Sequence, residues 1–509
     1  MSLGAALSIS QSGLAYTQRA LGVAADNVAN ASTAGYTRKT LPSLASSVGG
    51  RGLGVRIGVA ARDVDAALVA QSNKAGGALA AATMREELLR VVEEAHGQVG
   101  AGDSLGDRVA ALRTSFIALR AEPATPSWQS NVIVAADAVV DRIRTAYGAV
   151  AEARQRSQDG VVTAVADINR DLARIGVVTE QIRQNRSNGI STANIEDQRD
   201  VMLASLSENL PVRALPTADG GISLVTEGGQ WLSIPVHGDA FATAPALLGD
   251  ASYYGPGGSI PAVTLYGNDI TARVTGGRLA AFIVLRDDTL PRYAAELDVA
   301  AATIAARFDA QGLTLFTGGD GTVPDPTQSY AGSPLQGFAA AFRLNSAIAD
   351  TPRLLRDGSQ AISGSPLGAA DFTPNPADGP AGFTTLLDRV LDNTFGNEAQ
   401  AGVVWVPIGT TGLGPDGSLA SPFLAAGSIG DYAAQVSASQ TGERAKATVA
   451  RDDAATLADA LANRFAERSG VDVDHELSLM VTLQNAYAAN ARVMSTVQAM
   501  WDALMQAVR

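Results

Sequence analysis

The last part of the chain, residues 469–506, has a helical pattern that is apolar on two faces. A helix with two apolar faces needs two sets of neighbours, and one antiparallel partner in the same chain covers only one face. This pattern favours either the centre of a helical bundle or, for a segment that ends the chain, packing against other copies. One stripe consists of Leu477, Met480, Gln484, Tyr487, Ala491, Met494, Gln498, Trp501 and Met505, and the other of Leu479, Leu483, Ala486, Asn490, Val493, Val497, Met500 and Leu504.

The N-terminal segment has a matching pattern with a step of seven residues. A strong apolar position beside a weaker one is typical of a helix in a coiled coil. The strong position holds Leu7, Leu14, Leu21 and Val28, and the weak one holds Leu3, Ser10, Thr17 and Ala24.

Between the two ends, long helical patterns surround a region of different texture. Helical spacing covers residues 63–95, a segment from Asp103 or Ser104 to Pro123, residues 126–186, a segment that begins at Pro291, and residues 431–468. Residues 211–265 contain two short β-like runs separated by a Glu-Gly-Gly turn, which predicts a hairpin. Residues 313–425 are rich in glycine, proline, serine and threonine, which predicts a β- and loop-rich insert.

These patterns predict a multidomain, mainly α fold with β-rich portions. We expect the terminal helices to pair as a coiled coil in a core domain of residues 1–33 and 470–509. A long-helix rod domain would comprise residues 34–312 and 426–469, so that both halves of the chain contribute to it. Residues 313–425 would form the inserted outer domain.

The composition argues against several classes of function. A net charge of −13 disfavours nucleic-acid binding, and the absence of cysteine excludes disulfides and thiolate metal sites. The apolar runs are too short to span a membrane, and the N-terminus does not resemble a cleavable signal peptide. We expect no catalytic residues, no cofactor and no metal site. In residues 471–476, capping of the last helix by Asp472 or Asp474 is favoured over metal binding, with Glu476 placed at the positive end of the helix dipole.

The stretch from Ala24 to Thr40, AADNVANASTAGYTRKT, follows the first helical pattern without any recognisable catalytic motif. Asn27 and Asn30 are expected to cap the end of the first helix or the turn that follows. Gly35 is expected to permit a conformation that other residues resist. Tyr36 and Arg38 are then expected to pack where the core helix meets the next domain, so that the stretch acts as a hinge.

The same stretch, with its Asn-x-x-Asn-x-x-Thr-x-Gly-Tyr core, resembles the N-terminal signature of bacterial flagellar rod, hook and junction proteins. Its Gly-Tyr-Thr-Arg ending resembles the hook-associated protein 1 family of the hook–filament junction. Residues 469–506 resemble the shared C-terminal helix of the class, and NIEDQRDVMLASLSENLPV at residues 194–212 resembles a segment of the junction family. Residues 366–425 match no pattern of the family.

The resemblance implies a structural protein of the bacterial flagellum that is secreted by type III export and self-assembles at the distal end of the hook. The implied partners are other copies, the hook protein, the second hook–filament junction protein, the export apparatus and a dedicated export chaperone, with no nucleic acid and no membrane insertion. In the assembled tube, Leu7, Leu14, Leu21 and Val28 are expected to pack against residues 477–505. The alternatives are a hook or distal rod protein, or an axial protein whose insert is a secreted enzyme or adhesin.

Overall fold

The computed structural model describes residues 3–48, 51–97, 102–234 and 238–507. It has the predicted mainly helical fold with small antiparallel sheets. The helices are α1 (Leu3–Ala29), α2 (Ala66–His96), α3 (Leu105–Ala121), α4 (Pro126–Ser187), α5 (Ala193–Asn209), α6 (Gly277–Val284), α7 (Leu290–Ala310), α8 (Phe338–Ala341), α9 (Ser346–Asp350), α10 (Leu354–Asp357), α11 (Thr385–Arg389), α12 (Ile429–Ser469) and α13 (Val473–Ala507).

The strands are short, and each sheet has two or three of them. The hairpin expected within residues 211–265 is present as β6 and β7, in which Leu224 lies opposite Leu232. The strands are β1 (Lys39–Thr40), β2 (Ser43–Val48), β3 (Arg51–Ile57), β4 (Ala61–Arg62), β5 (Val212–Pro216), β6 (Ile222–Thr226), β7 (Trp231–Leu232), β8 (Phe241–Ala242), β9 (Thr264–Leu265), β10 (Asn268–Asp269), β11 (Phe316–Thr317), β12 (Arg343–Leu344), β13 (Glu398–Gln400), β14 (Val403–Val404), β15 (Thr411–Leu413) and β16 (Leu419–Ala420).

Helix α4 organises the middle of the molecule because two separate hydrophobic cores form along it. It has 62 residues, which at the rise of an α-helix corresponds to roughly 90 Å. Its first half packs with α3 and α7 in one core, which we call the proximal core. Its second half packs with α5, α6 and strands β5 to β9 in the distal core. The sequence pattern from residue 126 to 186 predicted one helix. The structure shows that this helix supports two cores.

The helix predicted to begin at Pro291 is part of a longer one. Helix α6 continues through a π-helical turn, Leu285–Thr289, directly into α7. Proline has no N–H to donate, and the wider turn before Pro291 accommodates this gap without ending the helix. The guanidinium of Arg286 is fully buried at this turn, where it donates to Asp287 and to the side-chain oxygen of Gln158.

Residues 313–425 contain short helices as well as the expected strands and turns. Most of their buried apolar side chains complete the proximal core, and a small separate cluster joins Ala369, Ala399 and Trp405 to Ala310 of α7. Phe308 of α7, for example, has its ring centroid 5.6 Å from those of Phe316 and Phe395. The insert is therefore packed directly on the rod helices, and the domain bounds given above stay a prediction.

A buried carboxylate fastens one loop of this insert to α7. Asp298 accepts hydrogen bonds from the hydroxyl of Tyr330 and the backbone N–H groups of Gly337 and Ala339, at 2.7, 2.9 and 2.7 Å. The side chain is fully buried, and burial raises the pKa of Asp298 to about 7. Three donors on one carboxylate therefore anchor the segment from Tyr330 to Ala339.

Stability should depend on pH through this group. The pKa of Asp298 rises from 3.8 to about 7 on folding, so between these values the folded chain keeps a proton that the unfolded chain has lost. The contribution of Asp298 to stability should thus fall as pH rises through this range. Urea unfolding of the natural chain and of Asp298→Asn at pH 5 and pH 8 measures it. The quantity of interest is the free energy of unfolding of the natural chain minus that of the variant. We expect it to fall by about 1–3 kcal/mol from pH 5 to pH 8. An unchanged value would contradict the raised pKa of Asp298.

Candidate assembly site

The two ends of the chain form an antiparallel pair of helices. Asn27, near the end of α1, lies 3.2 Å from the carboxylate of Glu476 at the start of α13. Earlier in α1, the side-chain nitrogen of Gln18 lies 3.5 Å from the hydroxyl of Tyr487. Residue numbers therefore rise along α1 as they fall along α13. Helix α1, with its heptad pattern, and α13, with its two apolar stripes, therefore form one structural unit.

In α1 the small side chains of the weak position face inward. The buried residues of the helix are Ser10, Thr17, Ala20, Ala24 and Asn27. The predicted packing residues Leu7, Leu14, Leu21 and Val28 are half-buried instead. Small side chains allow two helix backbones to approach closely, and the larger side chains then lie along the rim of the contact. Packing of the strong position against α13 of other copies stays a prediction.

In α13 the second stripe faces α1 more fully than the first. Leu483 and Val497 of that stripe are 8% and 4% exposed. Of the predicted packing residues, Met480, Tyr487, Ala491 and Met494 are half-buried, and Leu477, Gln484 and Trp501 are exposed. Other apolar side chains of α13 remain uncovered along the helix and in its last two turns, and we call them the exposed surface of α13: Leu477, Val481, Val493, Met500, Trp501, Leu504 and Met505, each 47–58% exposed.

Asn27 connects the helix pair to the following segment. Its side-chain oxygen accepts from the hydroxyl of Tyr36 and from the backbone N–H of Lys39, both at 3.0 Å. Its side-chain nitrogen donates to the backbone oxygen of Lys39 at 3.0 Å and to Glu476 at 3.2 Å. Asn27 lies inside α1 and is 1% exposed, so of the two expected roles it bonds backbone beyond the turn and not the carbonyl groups at the helix end. Its amide matches both backbone groups of Lys39, so it holds β1 against the helix.

Asn30 is the residue that closes the end of α1. Its side-chain nitrogen donates to the backbone oxygen of Asp26 at 2.9 Å, in an exposed position. The same oxygen also accepts the backbone N–H of Asn30 at 3.1 Å, so the side chain adds a second bond to the last turn of α1. The two asparagines of the motif thus have different roles.

Arg38 and Glu476 link the N-terminal motif to the start of α13. The Nε of Arg38 donates to Glu476 at 2.7 Å, and its backbone N–H donates to the backbone oxygen of Ser469 at 2.8 Å. Asp472 accepts the backbone N–H of His475 at 3.1 Å, so it is the capping residue. Glu476 was expected to act only through the helix dipole, but it is 1% exposed and holds both Arg38 and Asn27. The buried carboxylate of Glu476 requires these two partners, and the sequence pattern did not identify them.

A second carboxylate, Asp197 of α5, holds the other side of the motif. It accepts from both the backbone N–H and the hydroxyl of Thr37, at 3.1 and 2.7 Å. It also pairs with the amine of Lys39 and, at 3.1 Å, with the guanidinium of Arg62. Asp197 lies in the DQRD part of residues 194–212. The resemblance identified this segment, but it did not identify the residues that Asp197 contacts.

Burial and charge shift the titration of the groups in this network. Desolvation and nearby carboxylates raise the pKa of Tyr36 to about 12. Burial lowers the pKa of Lys39 even though Asp197 acts in the opposite direction. The amine of Lys39 lies 3.4 Å from the centre of the Tyr36 ring, which stabilises the cation further. Tyr36 is therefore a neutral hydrogen-bond donor at physiological pH, as its bond to Asn27 requires.

Gly35 provides the turn before this network and cannot accept a side chain. Its φ is +77°, and a Cβ atom there would lie 2.3 Å from Cγ2 of Val201. We expect Gly35→Ala to destabilise the chain by about 1–3 kcal/mol, because the conformation is strained for alanine and the methyl group meets α5. Chemical denaturation measures this. Adding Val201→Ala should recover only the part of the lost stability that comes from the contact with Cγ2. Recovery of the full stability would contradict the contribution of the positive φ.

Two kinds of feature are absent from the described residues, a membrane-spanning helix and a metal-binding cluster. None of the helices that these residues form is long and apolar enough to cross a bilayer. These residues contain no group of three or more histidine, cysteine, aspartate or glutamate residues arranged to hold a metal. Burial and the charge of Arg142 lower the pKa of His96 to about 4, so this side chain is neutral in the core. His237 lies outside the described residues.

The chain matches three sequence-family models. Residues 89–322 match the helical domain of flagellar hook-associated protein FlgK. Residues 7–37 match the flagella basal body rod protein family, and residues 462–507 match the C-terminal model of the flagellar basal body rod FlgEFG proteins. The last two segments contain α1 with its motif and α13. The predicted resemblance to flagellar hook-associated proteins is therefore confirmed.

Individual relatives agree with these matches. The chain is 24% identical over 258 residues to flagellar hook-associated protein 1 of Salmonella typhimurium, covering 47% of this chain and 46% of that protein. It is 25% identical over 222 residues to the protein of the same name from Escherichia coli, covering 42% and 40%. The chain thus aligns over less than half the length of these relatives. The flagellar hook junction protein FlgK from Burkholderia pseudomallei is similar at a TM-score of 0.41 and 21% identity, covering 50% of this chain and 45% of that one.

Proposed function

We propose that this chain, which carries a FlgK-type helical domain between two rod-family ends, is a structural subunit of the bacterial flagellum at the hook–filament junction. The observation that carries the proposal is the match of residues 89–322 to the FlgK helical domain. Rod-family ends alone would suit any axial protein. In this proposal the chain has no catalytic activity, and its function is to assemble.

The helix pair supports assembly with other copies. The exposed surface of α13 remains uncovered by α1, and the large residues of α1 are only half-buried. Extended apolar surfaces of this kind mark sites of protein–protein contact. Copies of the chain would cover these surfaces in a tube, with the predicted core packing between Leu7, Leu14, Leu21 and Val28 and the C-terminal helix.

The other partners follow from the position in the flagellum. The subunit would leave the cell through the type III export apparatus, accompanied by a dedicated chaperone until export. It would then contact the hook protein on one side and the second junction protein on the other. The proposed location is therefore extracellular.

Deletion of the gene, viewed by electron microscopy, tests the proposal. We expect cells that keep their hooks but lack filaments and shed flagellin into the medium. Loss of the hook itself would favour the alternative of a hook or distal rod protein, which the rod-family matches at both ends keep open. Normal filaments in the deletion strain would overturn both. Complementation by the complete gene is the control.

A further inference from the structure

A cavity in the insert contains a buried arginine that has no acidic partner. The cavity has a volume of about 290 Å³ and lies between α7 and two loops of the insert, residues 326–328 and 405–411. Arg307, in the last turn of α7, lines it and is 2% exposed. A buried cation without a counter-charge is costly, so its position in the wall of a cavity calls for an explanation.

The contacts of Arg307 leave part of its guanidinium free. Nη1 donates to the backbone oxygen of Gly396 at 3.3 Å, and Nη2 donates to that of Gly427 at 2.8 Å. A guanidinium has more N–H donors than these two bonds use. In the part of the chain that the structure describes, no carboxylate forms an ion pair with Arg307. Burial lowers the pKa of Arg307 to about 10, so the group remains charged at neutral pH.

The other buried arginines of the described chain fall into two groups, those that pair with a carboxylate and those that donate only to backbone oxygens. Arg286 is fully buried and pairs with both oxygens of Asp287, and Arg356 pairs in the same way with Asp357. Arg154 and Arg199, in contrast, donate to backbone oxygens and form no ion pair within the described residues. Arg307 is of this second kind, and it lies in the wall of a cavity that has room for an external group.

The rest of the cavity wall suits a small anion. Its described lining contains no aspartate or glutamate. Hydroxyl groups come from Thr303 and Thr411, whereas that of Thr327 donates to Asp325 outside the lining, and the indole ring of Trp405 lies 5.0 Å from the guanidinium carbon of Arg307. Arginine binds carboxylates through two parallel N–H bonds, and hydroxyls can donate to the same oxygens.

We propose that this cavity binds a carboxylate group, with Arg307 as the counter-charge and Trp405 as one wall. The group comes either from a free small carboxylate or from a glutamate or aspartate on an extended protein segment. The proposal concerns the cavity between α7 and the insert and holds whether or not the chain acts at the hook–filament junction.

Tryptophan fluorescence of the full-length chain tests binding, since Trp405 lines the cavity. Sodium acetate and a blocked glutamate-rich peptide would each be titrated against sodium chloride at constant ionic strength. We expect a saturable change in emission that is absent in Trp405→Phe. A response that is stronger for the peptide at equal carboxylate concentration assigns the site to a protein segment, and the reverse assigns it to a free carboxylate. No saturable response to either probe would overturn the proposal.

Two variants locate the site. Arg307→Met should weaken binding about tenfold or more, because it removes the charge and keeps most of the side-chain volume. Gly409→Leu should abolish binding without touching Arg307: Gly409 lines the cavity, and a Cβ there has nothing within 4 Å. Its matched control is Gly382→Leu, which also has open space but lies outside the cavity lining. Unchanged binding in Gly409→Leu would contradict the site even if Arg307→Met failed to fold.

Discussion

Asn27→Ala is expected to detach the paired terminal helices from the rest of the chain. The substitution leaves three groups without their partner: the hydroxyl of Tyr36 and both backbone groups of Lys39. It also removes one of the two bonds that hold the buried Glu476. Each buried polar group left unpaired costs about 1–3 kcal/mol. The total loss of stability should therefore be several times that caused by an ordinary surface substitution.

Hydrogen exchange followed by mass spectrometry measures this effect along the chain. Amides in α1, β1 and the start of α13 should exchange at least about tenfold faster in Asn27→Ala, while α4 and α7 keep their protection. Asn30→Ala is the matched control, because it removes an asparagine of the same motif that makes one exposed bond to Asp26. Equal exchange in both variants would show that Asn27 does not hold the helices in place.

The long helices were predictable because their signals are local. Helix α4 was predicted at residues 126–186 and lies at Pro126–Ser187. Proline at its first turn and regular apolar spacing suffice to define such an element. Ser104 similarly caps α3 through a capping box with Asp107, as the sequence indicated for Asp103 or Ser104. The sequence could not reveal the π-helical turn before Pro291, since it depends on how Arg286 is buried between helices.

The candidate site was predictable only in part, because its partners are distant in sequence. The motif residues Asn27, Tyr36 and Arg38 were identified, but Glu476 and Asp197 as their partners were not. Nothing in the spacing of a single sequence connects residue 38 with residue 476. The charge of these groups was visible, whereas the burial that makes each pairing necessary arises only when α1, α5 and α13 meet.

The heptad at the N-terminus shows another limit of pattern reading. Its large residues gave the stronger signal, but the small residues Ser10, Thr17 and Ala24 are the buried ones within the chain. Apolar spacing identifies which faces prefer to leave water, yet it does not rank them when helices approach closely through small side chains. The larger, half-buried residues are then available to a second neighbour, which is what a subunit with several identical contacts requires.

Trp501→Glu is expected to abolish self-assembly while leaving the isolated chain as stable as before. Trp501 is 49% exposed, belongs to the exposed surface of α13 and forms none of the hydrogen bonds or ion pairs described above. A surface substitution of this kind changes the stability of the monomer by within about 0.5 kcal/mol. If copies cover this surface, however, the new carboxylate would be buried without a partner, which strongly opposes association. Analytical ultracentrifugation of the purified chain and swimming of the complemented deletion strain measure the two consequences.

Leu483→Ala separates this effect from damage to the helix pair. Leu483 is 8% exposed and belongs to the stripe of α13 that faces α1. Its truncation should destabilise the monomer by about 2–5 kcal/mol, so both monomer stability and assembly should suffer. Gln498→Glu adds the same charge to α13 at an exposed polar position and should change neither. Assembly lost in Trp501→Glu alone, with the monomer intact, would place a contact between copies on the exposed surface of α13 at its C-terminal end. Retained assembly in that variant would mean that Trp501 stays in water and that the copies meet through other surfaces, such as α1 or the rod helices.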